Sequence, residues 1–217
     1  MDLSTMSSLL LQGYATSLQI FAITLVGAIP LGVPIALGRL SRIRPLSLLC
    51  QLFISIMRGT PLMLQMFAVF FVPYYMFGVQ TGPGYMFVAV MLAFVVNYAA
   101  YFAEIYRSGI QSMPQGQYEA AEVLGYSKGQ TFLRIILPQV VKRILPSMGN
   151  EVVTLVKDTS LAFSIGLAEM FTSARALVAS QRTMVPFVLA AVIYWITCLL
   201  IELVMRRVEK RMGYYHD

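Results

Sequence analysis

Long apolar stretches separated by short polar loops run through most of the chain. A helix needs roughly 20 residues to cross about 30 Å of membrane hydrocarbon, and five of these stretches are long enough. We therefore predict an all-α membrane protein with five transmembrane helices, at about residues 14–37, 46–77, 85–106, 146–167 and 185–205. The second stretch is interrupted at residues 58–61, and the first contains Pro30 and Pro34. Membrane helices tolerate such interruptions when neighbouring groups satisfy the freed backbone.

The longest polar interruption is the segment 112–138, between the third and fourth predicted spans. Ser112 and Ser127 are each followed three residues later by a glutamine, which is the spacing of a capping box at a helix start. Gly125 stands where a helix that ends at the preceding leucine needs a left-handed residue. The segment is therefore predicted to form a hairpin of two short helices that folds back at Gly125.

Composition and charge agree with a membrane protein and give it an orientation. Hydrophobic residues make up 58% of the chain, charged residues only 12%, and the mean hydropathy is +0.72, whereas about a quarter of the residues in soluble domains are charged. Twelve of the 16 Lys and Arg residues fall in loops on one side of the predicted spans, and only Arg175 and Arg182 fall on the other. This asymmetry predicts an outside N-terminus, an inside C-terminus and a cytoplasmic segment 112–138. Because the basic residues serve orientation, nucleic acid is not an expected partner.

Polar residues inside the predicted spans need a reason, because a charge at the membrane centre costs about 2.5–3.5 kcal/mol on insertion scales. With a rise of 1.5 Å per helical residue, Arg58, Asn97 and Asp158 each lie about 18 Å deep. Glu151 lies about two turns below Asp158, and Glu104 lies near the inner surface. Asn97 and Glu104 share one helix face, as do Glu151 and Asp158. Three helices are thus predicted to bring polar groups to one level of the bundle.

The sequence around Asp158 predicts an irregular turn. In a regular helix Lys157 would point about a quarter turn away from Asp158. The hydroxyl groups of Thr159 and Ser160 can bond back to the backbone and open that turn. We then expect Lys157 and Asp158 to face one cavity, where an ammonium and a carboxylate suit the two ends of a zwitterion.

Purely structural roles stay open for the same residues. Lys157 or Arg58 can pair with Asp158 or Glu151 and close the bundle without binding a ligand. Arg58 can instead satisfy carbonyl groups that Pro61 leaves free. Glu104 can pair with Arg107, three residues further along the helix.

Fixed positions recur within the segment 112–138. They are Glu119, Ala120, Ala121, Gly125, Ile135, Leu137 and Pro138. Their spacing resembles the cytoplasmic loop of ABC-importer permeases, which in that family is the socket for the ATP-hydrolysing subunit. Ala120 and Ala121 would offer a low surface for this partner to approach. The resemblance implies an ATPase-coupling role for Gln117, Glu119, Ala120, Ala121 and Gly125.

The resemblance covers roughly residues 14–211 and is closest to the branch that takes up polar amino acids. It is carried by further matching runs at residues 58–61, 100–107, 116–117, 150–151 and 157–161. It implies a single transmembrane domain, 1–217, that crosses a bacterial cell membrane several times. Such permeases work in pairs, identical or paralogous, on two ATPase subunits, and receive amino acid from an extracytoplasmic binding protein.

The resemblance also implies the chemistry of the site. Lys157 and Asp158 would contact the α-carboxylate and α-amine of the substrate, and Glu151 would lie near its side chain. A basic amino acid such as arginine, histidine or lysine is the leading expectation, with cystine, glutamine or another polar amino acid as alternatives. The predicted substrate-binding residues are Lys157, Asp158, Glu151, Asn97, Ser160 and Arg58.

Two other functional classes, a stand-alone carrier and an intramembrane enzyme, are alternatives to an ATP-driven permease. The chain has no G-x-x-x-x-G-K-[ST] phosphate loop, so we expect a non-catalytic subunit driven by a partner, with neither cofactor nor metal. A stand-alone ion-coupled carrier would use the intramembrane acids as a relay. An intramembrane enzyme would need a Ser160–Lys157 dyad, because the single histidine, His216, leaves no zinc cluster.

The sequence also suggests how a partner would drive transport. The predicted fourth helix follows the hairpin directly and carries Asp158. We expect closure of the ATPases to move the hairpin and the fourth helix to transmit that movement. Pro138 and Pro146 are expected to act as joints in this connection.

Overall fold

The computed structural model describes residues 2–80, 82 and 84–212 of the 217-residue chain. The described residues form helices joined by short turns, which confirms the predicted all-α class. His216 lies outside the described residues. The helices are α1 (Leu3–Arg39), α2 (Arg44–Gly59), α3 (Leu62–Phe77), α4 (Tyr85–Gln111), α5 (Gln115–Val123), α6 (Lys128–Gln130), α7 (Leu137–Asp158), α8 (Met170–Gln181) and α9 (Val185–Arg211), with a π-helical turn (Thr131–Ile136) before α7 and a 3-10 helix (Thr159–Ile165) after it.

Three straight helices of the described chain, α1, α4 and α9, are each long and apolar enough to cross a membrane. Two further candidates are bent: α2 with α3, and the helical segment Lys128–Ile165 with α8, with bends of 105° and 58°. The predicted number of five spans is reached if each bent pair crosses once. The straight helices run beyond the predicted ends, since α1 begins at Leu3 and α9 ends at Arg211. Polar flanking residues continue the helical hydrogen bonding beyond the apolar stretch.

Helix α4 lies at the centre of the fold, and α1 packs along it. Of the most apolar stretch of α4, 61% is buried, against 6% for α9, whose Trp195 is 65% exposed. A Cβ added to Gly27 would stand 3.0 Å from the Val95 side chain, and one on Gly32 would stand 3.1 Å from the Ala103 backbone nitrogen. Small residues therefore let the α1 and α4 backbones come into contact.

The chain turns sharply between α2 and α3, at Thr60 and Pro61. Thr60 is extended (φ −122°, ψ 146°), as the residue before a proline prefers, and Pro61 has no N–H to continue α2. The carbonyl groups freed by the bend accept hydrogen bonds from side-chain amides. Gln65 Nε2 donates to the carbonyls of Met57 (2.9 Å) and Thr60 (3.1 Å). Asn97 Nδ2, from α4, donates to the same Met57 carbonyl at 3.0 Å.

The segment 112–138 folds back at Gly125, as predicted. Gly125 has φ +80° and closes a complete Schellman motif at the end of α5. Its N–H donates to the Glu122 carbonyl at 2.9 Å, and the Tyr126 N–H donates to the Ala121 carbonyl at 3.0 Å. The positive φ explains why a glycine stands at this position.

Of the two predicted capping boxes, one is confirmed and one is wrong. Gln130 N–H donates to Ser127 Oγ at 3.3 Å, and Ser127 N–H donates to Gln130 Oε1 at 3.0 Å. Ser112 instead ends α4, and its hydroxyl donates to the Gly109 carbonyl at 2.7 Å. Helix α5 begins after Pro114, which separates Ser112 from the helix start.

The sequence predicts a short helix for the second arm of the hairpin. In the structure this arm is instead the start of a long helix. Residues Lys128–Ile165 form one continuous helical segment. Pro138 follows directly on the π-helical turn, whose wider backbone accommodates the proline ring, and Pro146 lies inside α7 without ending it. The helix is not broken at either proline, and a role for them as joints stays a prediction. The hairpin arm and the helix that carries Asp158 form a single rod.

Candidate functional site

The α-helical part of this rod ends at Asp158, where the sequence predicted an irregular turn. Thr159 Oγ1 donates to the Val156 carbonyl and Ser160 Oγ donates to the Lys157 carbonyl, both at 2.7 Å. The backbone then continues as the tighter 3-10 helix. Because Ser160 gives its hydroxyl hydrogen to the helix, only its lone pairs are left for a ligand.

A polar cavity of about 520 Å³ lies beside this turn, between the α2–α3 bend, α4 and α7. We call it the Asp158 cavity. The residues that line it include Arg58, Asn97, Tyr98, Tyr101, Glu151, Thr154 and Asp158. Its volume lies within the range of small-molecule sites, about 300–1,000 Å³. The three helices that the depth estimate placed at one level thus meet at one cavity.

Tyr98 is a site residue that the sequence analysis missed. Its hydroxyl donates to Asp158 Oδ2 at 2.7 Å, while its ring is buried and stacks against Phe94. An aromatic residue in an apolar span reads as core, and the only available signal was that a buried tyrosine hydroxyl needs a partner. The bond fixes one oxygen of the Asp158 carboxylate and leaves the other for a ligand.

Asn97 supports the α2–α3 bend. Its Nδ2 donates to the Met57 carbonyl and to Gln65 Oε1, both at 3.0 Å, and the residue is 4% exposed. Both amide hydrogens are therefore used inside the protein, so only the Asn97 carbonyl oxygen is left for a substrate contact.

Arg58 lies at the wall of the Asp158 cavity with unused donors. Its guanidinium carbon lies 5.2 Å from the centre of the Tyr101 ring, and Nη1 lies 3.9 Å from Glu104 Oε1. Its guanidinium makes no hydrogen bond to another described residue. The alternative in which Arg58 satisfies the carbonyls freed by the proline is wrong, because Gln65 and Asn97 do so.

Three acidic residues were predicted inside the spans, and only one of them, Glu104, forms ion pairs in the structure. Glu104 pairs with Arg107 through two contacts of 2.9 and 2.5 Å, as the structural alternative predicted. Within the described chain, neither Glu151 nor Asp158 forms an ion pair, so these two acids do not close the bundle in that way.

Lys157 lies on another face of α7. It lines a separate cavity of about 500 Å³ between α7 and α9, together with Glu202 and Arg206. The expectation that Lys157 and Asp158 face one cavity is therefore wrong. Neighbouring residues on a helix point about 100° apart, and the backbone tightens only after Asp158.

The tip of the hairpin differs in part from the expected low surface. Glu119 and Ala120 are exposed, but Ala121 is only 2% exposed and packs inward. Apolar exposure comes instead from Val123 and Leu124, at 87% and 74%. Large exposed apolar side chains on a short polar helix are typical of a contact with another protein.

Gln117 fixes the hairpin to the rod. Its side-chain amide exchanges two hydrogen bonds with that of Gln139, at 2.9 and 2.6 Å. Arg143 Nη1 adds a bond of 2.6 Å to the Ser112 carbonyl at the end of α4. The hairpin is therefore tied to the rod by side-chain contacts as well as by the chain itself.

A buried carboxylate starts α8, in the connection before α9. Glu169 is fully buried and accepts hydrogen bonds from the N–H groups of Phe171 and Thr172, both at 2.7 Å. The hydroxyl groups of Ser17 and Tyr194 lie 3.3 and 3.5 Å from its carboxylate. The sequence analysis did not identify Glu169, although an acidic residue directly before a helix is a familiar N-cap.

These features define a class of protein: an all-α membrane protein with a cavity lined by charged residues at the end of a bent helix, and a helical hairpin joined to the cavity wall by a continuous helix. The family described as binding-protein-dependent transport system inner membrane component matches residues 28–214, and the chain belongs to this family.

Relatives within the family are amino-acid permeases. The L-cystine transport system permease protein TcyB of Bacillus subtilis (strain 168) is 39% identical over 182 residues, covering 83% of this chain and 76% of its own. The arginine permease ArtQ of the same organism is 33% identical, covering 94% and 92%. The putative glutamine permease GlnP of Rickettsia bellii (strain RML369-C) is 34% identical with the same coverage.

A crystal structure of an amino acid ABC transporter with histidines has the same fold. Its TM-score is 0.87 at 30% identity, over 97% of this chain and 99% of that chain. The resemblance to amino-acid ABC permeases that the sequence suggested is therefore confirmed.

Proposed function

We propose that the chain is the non-catalytic, membrane-spanning subunit of an ATP-driven amino-acid importer in a bacterial inner membrane. It would act as one domain, 1–217, with its N-terminus outside and its C-terminus and hairpin inside. The observation that carries this proposal is the Asp158 cavity. At membrane depth it presents the guanidinium of Arg58, which makes no hydrogen bond and has one ion-pair contact, at 3.9 Å, to Glu104. It also presents the carboxylates of Asp158 and Glu151, which form no ion pair within the described chain. Charges with so few partners are costly there unless a ligand completes them.

The arrangement suits an amino acid bound by both of its charged ends. Arg58 provides a planar fork for the α-carboxylate, a role that the family resemblance assigned to Lys157. The free Asp158 oxygen accepts the α-ammonium group, and Tyr98 holds the other oxygen in place. Glu151, about two turns along α7, lies toward the substrate side chain.

The charges favour a basic amino acid as the substrate. Two carboxylates face one guanidinium in the cavity, so one negative charge is left over once the α-groups are paired. Arginine, histidine or lysine would neutralise it. Cystine and glutamine are the alternatives, since relatives are named for transport of cystine, glutamine and arginine.

Partners are inferred from two surfaces. The hairpin, with exposed Val123 and Leu124 beside Glu119 and Ala120, would dock on one of two ATPase subunits. The exposed Lys157 cavity cannot face lipid at this depth without penalty, so a second permease, identical or paralogous, would cover it. An extracytoplasmic binding protein would deliver the amino acid.

Uptake into proteoliposomes by the assembled transporter tests the site. Asp158→Asn is expected to abolish uptake of every amino acid, because the carboxylate can no longer pair with the ammonium. Glu151→Gln is expected to reduce uptake of arginine and histidine more than that of glutamine or cystine. Asp2→Asn, at the exposed start of α1 where the side chain makes no capping hydrogen bond, serves as the matched control and should transport normally.

Two results would contradict the proposal. Normal uptake by the Asp158→Asn variant would show that the Asp158 cavity is not the binding site. Unchanged arginine and histidine uptake by the Glu151→Gln variant would show that Glu151 does not select a basic amino acid. Uptake by the purified chain without ATPase subunits would favour an ion-coupled carrier, a class in which the exposed apolar hairpin tip has no role.

A further inference from the structure

A second polar cavity, of about 400 Å³, adjoins the Asp158 cavity on the side of the hairpin. Its wall includes Arg143 and Ser147 of α7, and we call it the Arg143 cavity. Arg58, Tyr101 and Glu151 line both cavities. The two spaces are therefore consecutive, and these three side chains form the boundary between them.

The Arg143 cavity carries charges of both signs in equal number. Arg58 and Arg143 contribute guanidinium groups, and Glu104 and Glu151 contribute carboxylates. Two of the four are already engaged, because Arg143 bonds to the end of α4 and Glu104 pairs with Arg107. Arg58 and Glu151, at the boundary, are left with unused capacity for one anion and one cation.

Arg58 is placed to serve both cavities. It stands one residue from the end of α2, its side chain is 42% exposed, and its guanidinium lies over the face of Tyr101. A long side chain held by a ring face and by one 3.9 Å ion-pair contact to Glu104, without a hydrogen bond, can turn about its own bonds while keeping a bound carboxylate. The carboxylate then need not cross the apolar bundle without a partner, which would be costly.

We propose that the Arg143 cavity is a second binding site for the same zwitterion, occupied after the Asp158 cavity and before release. Arg58 carries the carboxylate across the boundary, and Glu151 receives the ammonium group. This inference rests on the proposed function, because it assumes that an amino acid enters the Asp158 cavity.

Two leucine substitutions on one helix face separate the sites. Ser147 and Thr154 are both exposed and lie seven residues apart on α7. Ser147 lines the Arg143 cavity but not the Asp158 cavity, and Thr154 lines the Asp158 cavity but not the Arg143 cavity. Ser147→Leu therefore fills the Arg143 cavity and spares the Asp158 cavity, and Thr154→Leu fills the Asp158 cavity and spares the Arg143 cavity, although Thr154 also borders the cavity that Lys157 lines. Ser108→Leu, from α4, fills the Arg143 cavity from its opposite wall.

The measurement is equilibrium binding of radiolabelled L-arginine, L-histidine, L-glutamine and L-cystine to the assembled transporter without ATP. Because both sites use Arg58, we expect one bound molecule of the best ligand per chain. Ser147→Leu, Ser108→Leu and Thr154→Leu should each keep that one molecule, in the cavity that stays open, whereas the double variant Ser147→Leu/Thr154→Leu should bind none.

The outcomes distinguish the two proposals. Complete loss of binding in the Thr154→Leu variant alone, with wild-type binding intact, overturns the second site but leaves the proposed function standing. Failure of all four amino acids to bind overturns the proposed function, and the second site with it. Thermal melting of each variant shows whether a lost site reflects a filled cavity or a lost fold.

Discussion

Replacing Gly125 with alanine tests whether the conformation of the hairpin carries the coupling to ATP hydrolysis. Gly125 has φ +80°, and no heavy atom lies within 4 Å of an added Cβ, so the penalty arises from the backbone alone. An L-residue in this left-handed region costs about 1–2 kcal/mol. That energy lowers the population of the Schellman conformation about 5- to 30-fold. We expect substrate-stimulated ATP hydrolysis by the assembled transporter to fall several-fold, with the membrane helices intact.

Gly129→Ala is the matched control. Gly129 is equally open but has a helical backbone, where alanine is favoured by about 1 kcal/mol over glycine. Gly125→Asn should recover part of the activity, because asparagine tolerates the left-handed region. If Gly125→Ala melts like the wild-type protein and keeps full stimulated hydrolysis, the hairpin does not act as a lever and the reasoning fails.

Three further substitutions follow from single contacts. Tyr98→Phe removes the 2.7 Å hydrogen bond to Asp158. Because hydrogen bonds to charged groups contribute about 1.5–3 kcal/mol, we expect amino-acid binding to become at least tenfold weaker. Unchanged affinity would contradict the assignment of Tyr98 and Asp158 to the binding site. Gln139→Leu leaves the side-chain amide of Gln117 without its partner, so ATP hydrolysis should persist while the amount of amino acid taken up per ATP falls. An unchanged ratio of uptake to hydrolysis would show that the Gln117–Gln139 contact does not transmit movement. Glu169→Gln replaces one acceptor oxygen with a donor NH₂ group that faces a backbone N–H. The resulting loss of about 1–3 kcal/mol of folding stability should lower the melting temperature by several degrees. A melting temperature equal to that of the wild-type protein would refute this account.

Local rules predicted the features that depend on a few neighbouring residues. The left-handed Gly125, the capping box at Ser127 and the bonds of Thr159 and Ser160 back to the helix were all predicted from short spacings, and the structure contains each of them, although the turn after Asp158 tightens rather than opens. The lengths of the apolar stretches predicted the main helices, because membrane thickness fixes how many residues a span needs. These properties require no knowledge of which helix packs on which.

The wrong predictions share a dependence on tertiary contacts. The sequence could not show that the amide of Asn97 is used by a carbonyl forty residues away, or that the face of α7 bearing Lys157 turns toward α9. Ala121 is a small residue like Ala120, and only packing decides which of the two is exposed. The long rod was missed because proline normally ends a helix, whereas here a π-helical turn accommodates Pro138.

The close contact between α1 and α4 has a practical consequence for measuring movement in this protein. At Gly32 the two backbones approach so closely that even one added carbon would stand 3.2 Å from the Ala99 carbonyl oxygen, which leaves little room for sliding. Helices α1 and α4 can therefore serve as a fixed reference for distance measurements. A spin label at Val26, which is 77% exposed on α1, would supply a stationary origin, and distances from it to labels on the rod would report displacement of the rod alone.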